Sequence, residues 1–195
     1  MIDFKIKKGR ICLRSIALNE KHLVLTGSRK FIASQVRQGI EYFDYNVIEL
    51  DFYFLESASY SALKDCLIEL RMAIKYKDLF FYITNLNTKA YIYVDLKNAC
   101  DNLDMSFAWS NESTVSMGLL GNHSDKYLAA FNLISKHGQM TSSKLAELTG
   151  ESVQACSVRL SRMNHKGLIR KIKVSAESGG YEYIYHHFCH DYMYR

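Results

Sequence analysis

The chain has 195 residues, 48% of them hydrophobic and 23% charged, with 25 Lys/Arg against 20 Asp/Glu and a formal charge of +5. That is room for one medium domain or two small ones with real cores, which excludes wholesale disorder. No run of about 18 apolar residues appears, so a membrane-spanning helix is excluded as well.

In chain order, Phe4-Lys5-Ile6 and Ile11-Cys12-Leu13 read as short strands around a Lys8-Gly9 turn, and His22-Leu23-Val24-Leu25 reads as another. Gly27-Ser28 can cap a helix over about 29–43, with Phe31, Ile32, Val36, Ile40 and Phe43 on one face. A strand over 46–52 follows, then a helix from Ser59 to about Tyr76 with Leu63, Leu67, Leu70 and Ile74 spaced for one face. Leu79-Phe80-Phe81-Tyr82-Ile83 is a continuous apolar run, as expected of a buried central strand. Residues 88–103 read as a third helix, although Tyr91, Tyr93 and Val94 favour a strand. Residues 105–109 and 114–117 either add strands or form an ordered connector. The glycines of 118–124 mark the domain boundary, and a helix runs from a cap at Ser124 to His137-Gly138 with Tyr127, Leu128, Phe131 and Ile134 on one face. This alternation implies right-handed crossovers and a mixed sheet with helices packed on it.

Residues 1–118 carry 15 Lys/Arg against 14 Asp/Glu, whereas residues 119–195 carry 10 against 6 and hold six of the seven histidines. The positive excess of the smaller C-terminal part fits a polyanionic partner. Met1-Ile2-Asp3-Phe4-Lys5 lacks the apolar region of a signal peptide, so a cytoplasmic location is expected. Proline is absent, and boundaries therefore rest on glycine, capping residues and periodicity. Cys12, Cys66, Cys100, Cys156 and Cys189 are scattered without a C-x-x-C, which suggests structural thiols rather than a zinc knuckle or disulfide framework.

The segment Leu50-Asp51-Phe52-Tyr53-Phe54-Leu55-Glu56-Ser57-Ala58-Ser59, a strand end, short loop and helix start, resembles the STAS-like family of bacterial domains. Leu25-Thr26-Gly27-Ser28-Arg29 resembles that family's Gly-x-Arg helix start, and the likeness covers roughly residues 1–105. The bulky Tyr53-Phe54 and the Tyr60-Ser61-Ala62 helix opening depart from the pattern. The resemblance implies a non-catalytic regulatory module that binds another protein. STAS domains proper pair with histidine-kinase-like ATPases and are phosphorylated on a serine at this helix start, which makes Ser57, Ser59 and Ser61 the positions to consider. A helix N-terminus favours phosphate through its free N–H groups and dipole. The plainer role of such a serine is an N-cap.

Thr141 to His187 carries the functional signal. Ser142-Ser143-Lys144-Leu145-Ala146-Glu147-Leu148-Thr149-Gly150 reads as a first short helix with Leu145 and Leu148 inward and Gly150 permitting a sharp turn. Ser152 caps a second helix, Val153 to Lys166, whose Cys156, Leu160 and Met163 fix the buried stripe. Two strand-like runs joined through Ser178-Gly179-Gly180 follow, from Leu168 to about Val174 and from Tyr181 to Tyr185. The pattern, with the exit His165-Lys166-Gly167-Leu168-Ile169, resembles the winged-helix regulators of bacteria over roughly the last 70 residues. That likeness implies a recognition helix in the major groove of DNA.

With the stripe inward, Gln154, Ser157, Val158, Ser161 and His165 project outward. Gln154 suits an adenine edge, and Ser157 or Ser161 a base or phosphate. Arg159 and Arg162 fall on the flank, where phosphate contact is expected, and Lys166, Arg170, Lys171 and Lys173 continue the basic track towards the wing. Glu177 and Glu182 argue against deep wing insertion beside phosphates. The alternative is a winged helix used for protein contact, with these charges merely solvated. The run His186-His187-Phe188-Cys189-His190-Asp191 lacks a second separated ligand group and reads as a wing end or dimer contact rather than a metal site.

No phosphate-binding Gly-rich loop, H-E-x-x-H or nucleophile elbow appears, and Asp51 at a strand end reads as a loop cap, so neither an enzyme nor a cofactor is expected. The expected architecture is α/β (α+β): a STAS-like mixed sheet with packed helices over 1–117, a linker over 118–123 and a winged helix-turn-helix over 124–195. The expected function is a transcriptional regulator that binds duplex DNA under control of the N-terminal domain's protein partner or signal, with a homodimer left open. The competing expectation is a non-enzymatic protein-interaction adaptor in an ATPase-linked signalling or defence complex.

Overall fold

The computed structural model describes residues 8–12, 22–23, 47–53, 55–77, 79–111, 116–176 and 179–187. The chain divides into two compact units, 1–122 and 123–195, and is mixed α/β with five helices among the described residues. The expected strand over 4–6 and helix over 29–43 lie outside the described residues. No described helix is long and apolar enough to cross a membrane.

In the first unit the strands are β1 (Lys8–Cys12), β2 (His22–Leu23), β3 (Val47–Asp51), β4 (Ser57–Ala58), β5 (Phe80–Thr84), β6 (Ser106–Asn111) and β7 (Ser116–Gly121). A five-stranded sheet has the order β1-β3-β5-β6-β7, its first four strands parallel and β7 antiparallel to β6, while β2 and β4 form a separate parallel pair. The Lys8-Gly9 pair, expected as a turn, lies inside β1, where it pairs with Val47 and Ile48. All of β3 and β5 is buried, which is why residues 79–83 read as an unbroken apolar run.

Helices α1 (Tyr60–Lys77) and α2 (Tyr91–Asn102) bury their stripes in one core with Ile48, Leu50, Phe81, Ile83, Phe107 and Leu120. Leu63, Leu67 and Leu70 supply the stripe of α1, and Ile92, Leu96, Ala99 and Cys100 that of α2. Of the side chains of α2 that favour a strand, Tyr91 is 82% exposed and Val94 52%, so neither has to pack, while Tyr93 is half-buried against the core. Burial pushes the Cys66 and Cys100 thiols up to about 12, which leaves both un-ionised and inert near neutrality.

Residues 118–121, read from sequence as the start of a linker, complete β7. Gly118 pairs with Trp109, and a Cβ there would lie 2.5 Å from the indole Nε1. Gly121 has φ +96°, and a Cβ would lie 2.2 Å from the Met105 carbonyl oxygen. These glycines are packing requirements rather than signs of flexibility. Asn122 closes the unit, its N–H donating to Met105 O at 3.3 Å and its carbonyl accepting from Ser106 Oγ at 2.9 Å.

The second unit runs α3 (Asp125–His137), β8 (Gln139–Thr141), α4 (Ser142–Thr149), α5 (Val153–His165), β9 (Arg170–Ser175) and β10 (Tyr181–His186). Its antiparallel sheet has the order β8-β10-β9. Phe131, Ile134, Met140, Leu145, Cys156, Leu160, Met163, Leu168, Ile169 and Tyr185 are buried and form its core. The end of the sheet is clasped by His187, whose N–H donates to Gly138 O at 3.0 Å and whose ring meets Phe131 edge-on with centroids 5.0 Å apart. Strand β8 has only three residues, too few to register as periodicity.

Candidate nucleic-acid interface

The α4–α5 corner is set by three local devices. Thr141 Oγ1 accepts a hydrogen bond from the Lys144 N–H at 3.1 Å and so caps α4. Gly150 ends that helix in the left-handed region (φ 70°, ψ 14°), its N–H donating to Ala146 O at 2.9 Å. Nothing lies within 4 Å of a Cβ built on Gly150, so backbone conformation rather than space requires glycine here. Ser152 Oγ then accepts from the Ala155 N–H at 3.2 Å and starts α5.

The buried face of α5 is Cys156, Arg159, Leu160 and Met163. Arg159 was expected on the flank against phosphate, and the structure corrects this. Its side chain is 8% exposed and its guanidinium pairs with Glu151. Position 159 falls between Cys156 and Met163 at helical spacing, so it belongs to the stripe despite its charge. Glu151 also takes Lys126 Nζ of α3 at 2.9 Å, which joins α3, the corner and α5. Hydrogen bonds from Lys126 and then Arg159 hold the Glu151 carboxyl below its ordinary range. Leu148, also expected inward, is 42% exposed, and Leu145 with Ala146 takes the buried positions of α4.

On the other side of α5, Gln154, Ser157, Val158, Arg162 and His165 are exposed and Ser161 is half-buried. Val158 is 47% exposed and Val153, at the helix start, 50%. His165 Nδ1 lies 2.8 Å from Ser161 O. Lys166 is the half-buried C-cap residue. Asn164 Nδ2 donates to Ile169 O at 2.9 Å and fastens the helix exit to the approach of β9.

Beyond it, β9 and β10 form a hairpin in which Lys173 opposes Tyr183 and Lys171 opposes Tyr185. Opposed residues share a face, so Lys171, Lys173, Tyr181, Tyr183 and Tyr185 line one side while Glu182 lies on the other. The lysines lean diagonally along the ribbon. Lys171 Nζ sits 3.7 Å from the Tyr183 ring centroid and Lys173 Nζ 3.8 Å from that of Tyr181. From sequence the tyrosines read only as part of a strand-like run; the K-x-K run set against Y-x-Y in antiparallel register is the signal that joins them to the lysines.

The candidate switch serines lie in the first unit. Ser59 Oγ accepts from the Ala62 N–H at 3.3 Å and caps α1, and Ser57 lies in β4 opposite His22. Ser59→Ala is expected to cost the first unit about 1 kcal/mol, whereas Ser59→Asp retains a cap and stays near wild type. Urea titration followed by Trp109 fluorescence measures both, and an equal loss in the two variants would show that the cap is not what matters. Asp51 serves the loop after β3: its Oδ1 accepts from the Tyr53 N–H at 3.0 Å and from Asn85 Nδ2 at 2.7 Å. A buried feature that sequence reading missed is Glu49, which takes the Tyr82 hydroxyl at 2.9 Å and the Thr84 hydroxyl at 2.8 Å.

Among known proteins, no family model and no curated protein matches the chain.

Proposed function

We propose that residues 123–195 form a winged helix-turn-helix that binds duplex DNA through the outer side of α5. In this reading residues 1–122 form a STAS-like regulatory unit, and its protein partner or signal controls that binding as transcriptional regulation. The observation that carries the reading is the exposed row Gln154, Ser157, Val158 and Arg162 on a helix entered from a capped, three-residue corner. A helix so mounted presents its N-terminal turns to base edges. Gln154 matches the donor–acceptor pattern of adenine, and Val158 offers apolar contact to a thymine methyl. Arg162, Lys166, Lys171 and Lys173 supply phosphate contacts, which position the helix and set its salt dependence.

The adaptor reading draws support from Leu148, Val153 and Val158, three exposed apolar side chains in α4 and α5. Anisotropy titrations of duplex DNA from the protein's own locus, with random duplex as control, separate the two across a salt series. Engagement of four phosphates gives a log–log slope of roughly −3 to −4. Gln154→Ala is expected to reduce discrimination at one base position by roughly 5- to 100-fold with little change on random duplex. Weak binding of equal strength to both duplexes, insensitive to Gln154, would favour the adaptor.

A further inference from the structure

The wing ribbon carries more aromatic surface than a phosphate contact needs. Along β10 the shared face grades from Tyr185, 1% exposed, through Tyr183 at 44% to Tyr181 at 70%. Strand β8 pairs only with residues 184–186 of β10, so the stretch from Tyr181 to Tyr183 is a two-stranded ribbon held by β9 alone. From this juxtaposition we infer that Tyr181, Tyr183, Lys171 and Lys173 form a stacking platform for single-stranded nucleic acid, which shares its two lysines with the duplex interface proposed around α5 and adds the two rings.

Three physical points carry the assignment. First, residues two apart on a strand stand about 7 Å apart, twice the roughly 3.4 Å interval of stacked bases. Two rings at that spacing suit an extended strand with splayed bases, whereas a duplex has its base faces covered. Second, the cations and rings interleave, with Lys171 over Tyr183 and Lys173 over Tyr181. A cation over an exposed ring contributes about 2- to 5-fold, and a base stacked on an aromatic ring about 5- to 150-fold. Exchange therefore favours the base on the ring, with the displaced ammonium on the adjacent phosphate. Third, Glu182 lies on the opposite face, so among the described residues of β9 and β10 no carboxylate faces a polyanion there.

The test uses the full chain and a labelled single strand of about 12 thymidines, beside a blunt mixed-sequence duplex of the same length. Tyr181→Leu with Tyr183→Leu is expected to weaken single-strand binding by at least 10-fold and to leave duplex binding within about 2-fold. Tyr181→Phe with Tyr183→Phe, which keeps the rings, restores it. Lys171→Ala with Lys173→Ala lowers the salt slope by roughly 1 to 2. A strand carrying 2-aminopurine reports stacking directly through tyrosine-dependent quenching. Binding that survives the leucine variant but falls with the lysine variant would identify a site for acidic groups in general, protein or polymer, and overturn the platform. Absence of single-strand binding would overturn it equally. Gln154→Ala with Arg162→Ala separates the two sites: loss of duplex binding alone leaves the platform standing, and its failure says nothing against α5.

Discussion

Gly121→Ala removes about 3 kcal/mol from the first unit, a large share of the roughly 5–15 kcal/mol that holds a domain together. Two costs combine at this residue. A φ of +96° is one that L side chains rarely adopt. The added Cβ would also lie 2.2 Å from the Met105 carbonyl oxygen and 2.9 Å from Cys100 Cβ. The first contact is with backbone, so no rotamer change relieves it. Gly150→Ala is the control: it shares the positive φ, but open space surrounds the new methyl group, and a loss of about 1 kcal/mol is expected in the second unit. Trp109, the chain's one tryptophan, stands in β6 and reports the first unit selectively. A denaturation midpoint unchanged by Gly121→Ala would mean that β7 does not close against Met105 as described.

Arg159 and Arg162, three residues apart, are expected to fail in opposite ways. Arg159→Ala destabilises the second unit by about 1–3 kcal/mol through lost packing and a lost ion pair. Arg159→Met fills the same space without charge and stays within about 1 kcal/mol of wild type. Glu151→Ala is worse than Arg159→Ala, because it strands a guanidinium whose side chain is 8% exposed. Hydrogen–deuterium exchange in peptides of α3 and α5 ranks the three. If α5 binds duplex DNA as proposed, Arg159→Met leaves that affinity intact, whereas Arg162→Ala lowers the salt slope by about 0.9. A DNA defect in Arg159→Met at unchanged stability would return that residue to the interface. The same network predicts an acid limb. The Glu151 carboxyl is depressed in the folded state, so its contribution is fully present above its ordinary value of 4.5 and is lost as pH falls through the lowered one. Glu151→Gln should flatten that limb, and added salt should shrink it.

Much of the architecture was legible because single-residue chemistry and periodicity agreed. The apolar run at 79–83, the leucines of α1 and the Ser152 cap each declare an element without help from tertiary contacts. The failures share a different cause. Gly118 and Gly121 look like linker glycines until Trp109 and Met105 stand against them, and sequence alone does not reveal those neighbours. Arg159 looks like a ligand-binding cation until Glu151 is seen to neutralise it. Leu148 looks like core because it is leucine, yet Ala146 takes the inward position. The Lys–Tyr face of the β9–β10 hairpin was hidden for the same reason, since it exists only once the strands are placed in register.

The strand order of the first unit also bears on how the chain reaches its fold. Pairing Lys8 with Val47, and Val47 with Phe80, closes loops of about 30–40 residues before any ladder bond rewards the closure. Strands β6 and β7 must then be added before the parallel edge is covered. The second unit has one such distant pairing, β8 with β10, while its α4–α5 corner and β9–β10 hairpin assemble locally. During synthesis the first unit therefore waits with unpaired edges until residue 121 is available. Unpaired strand edges in such an interval are what makes a folding chain prone to misassembly.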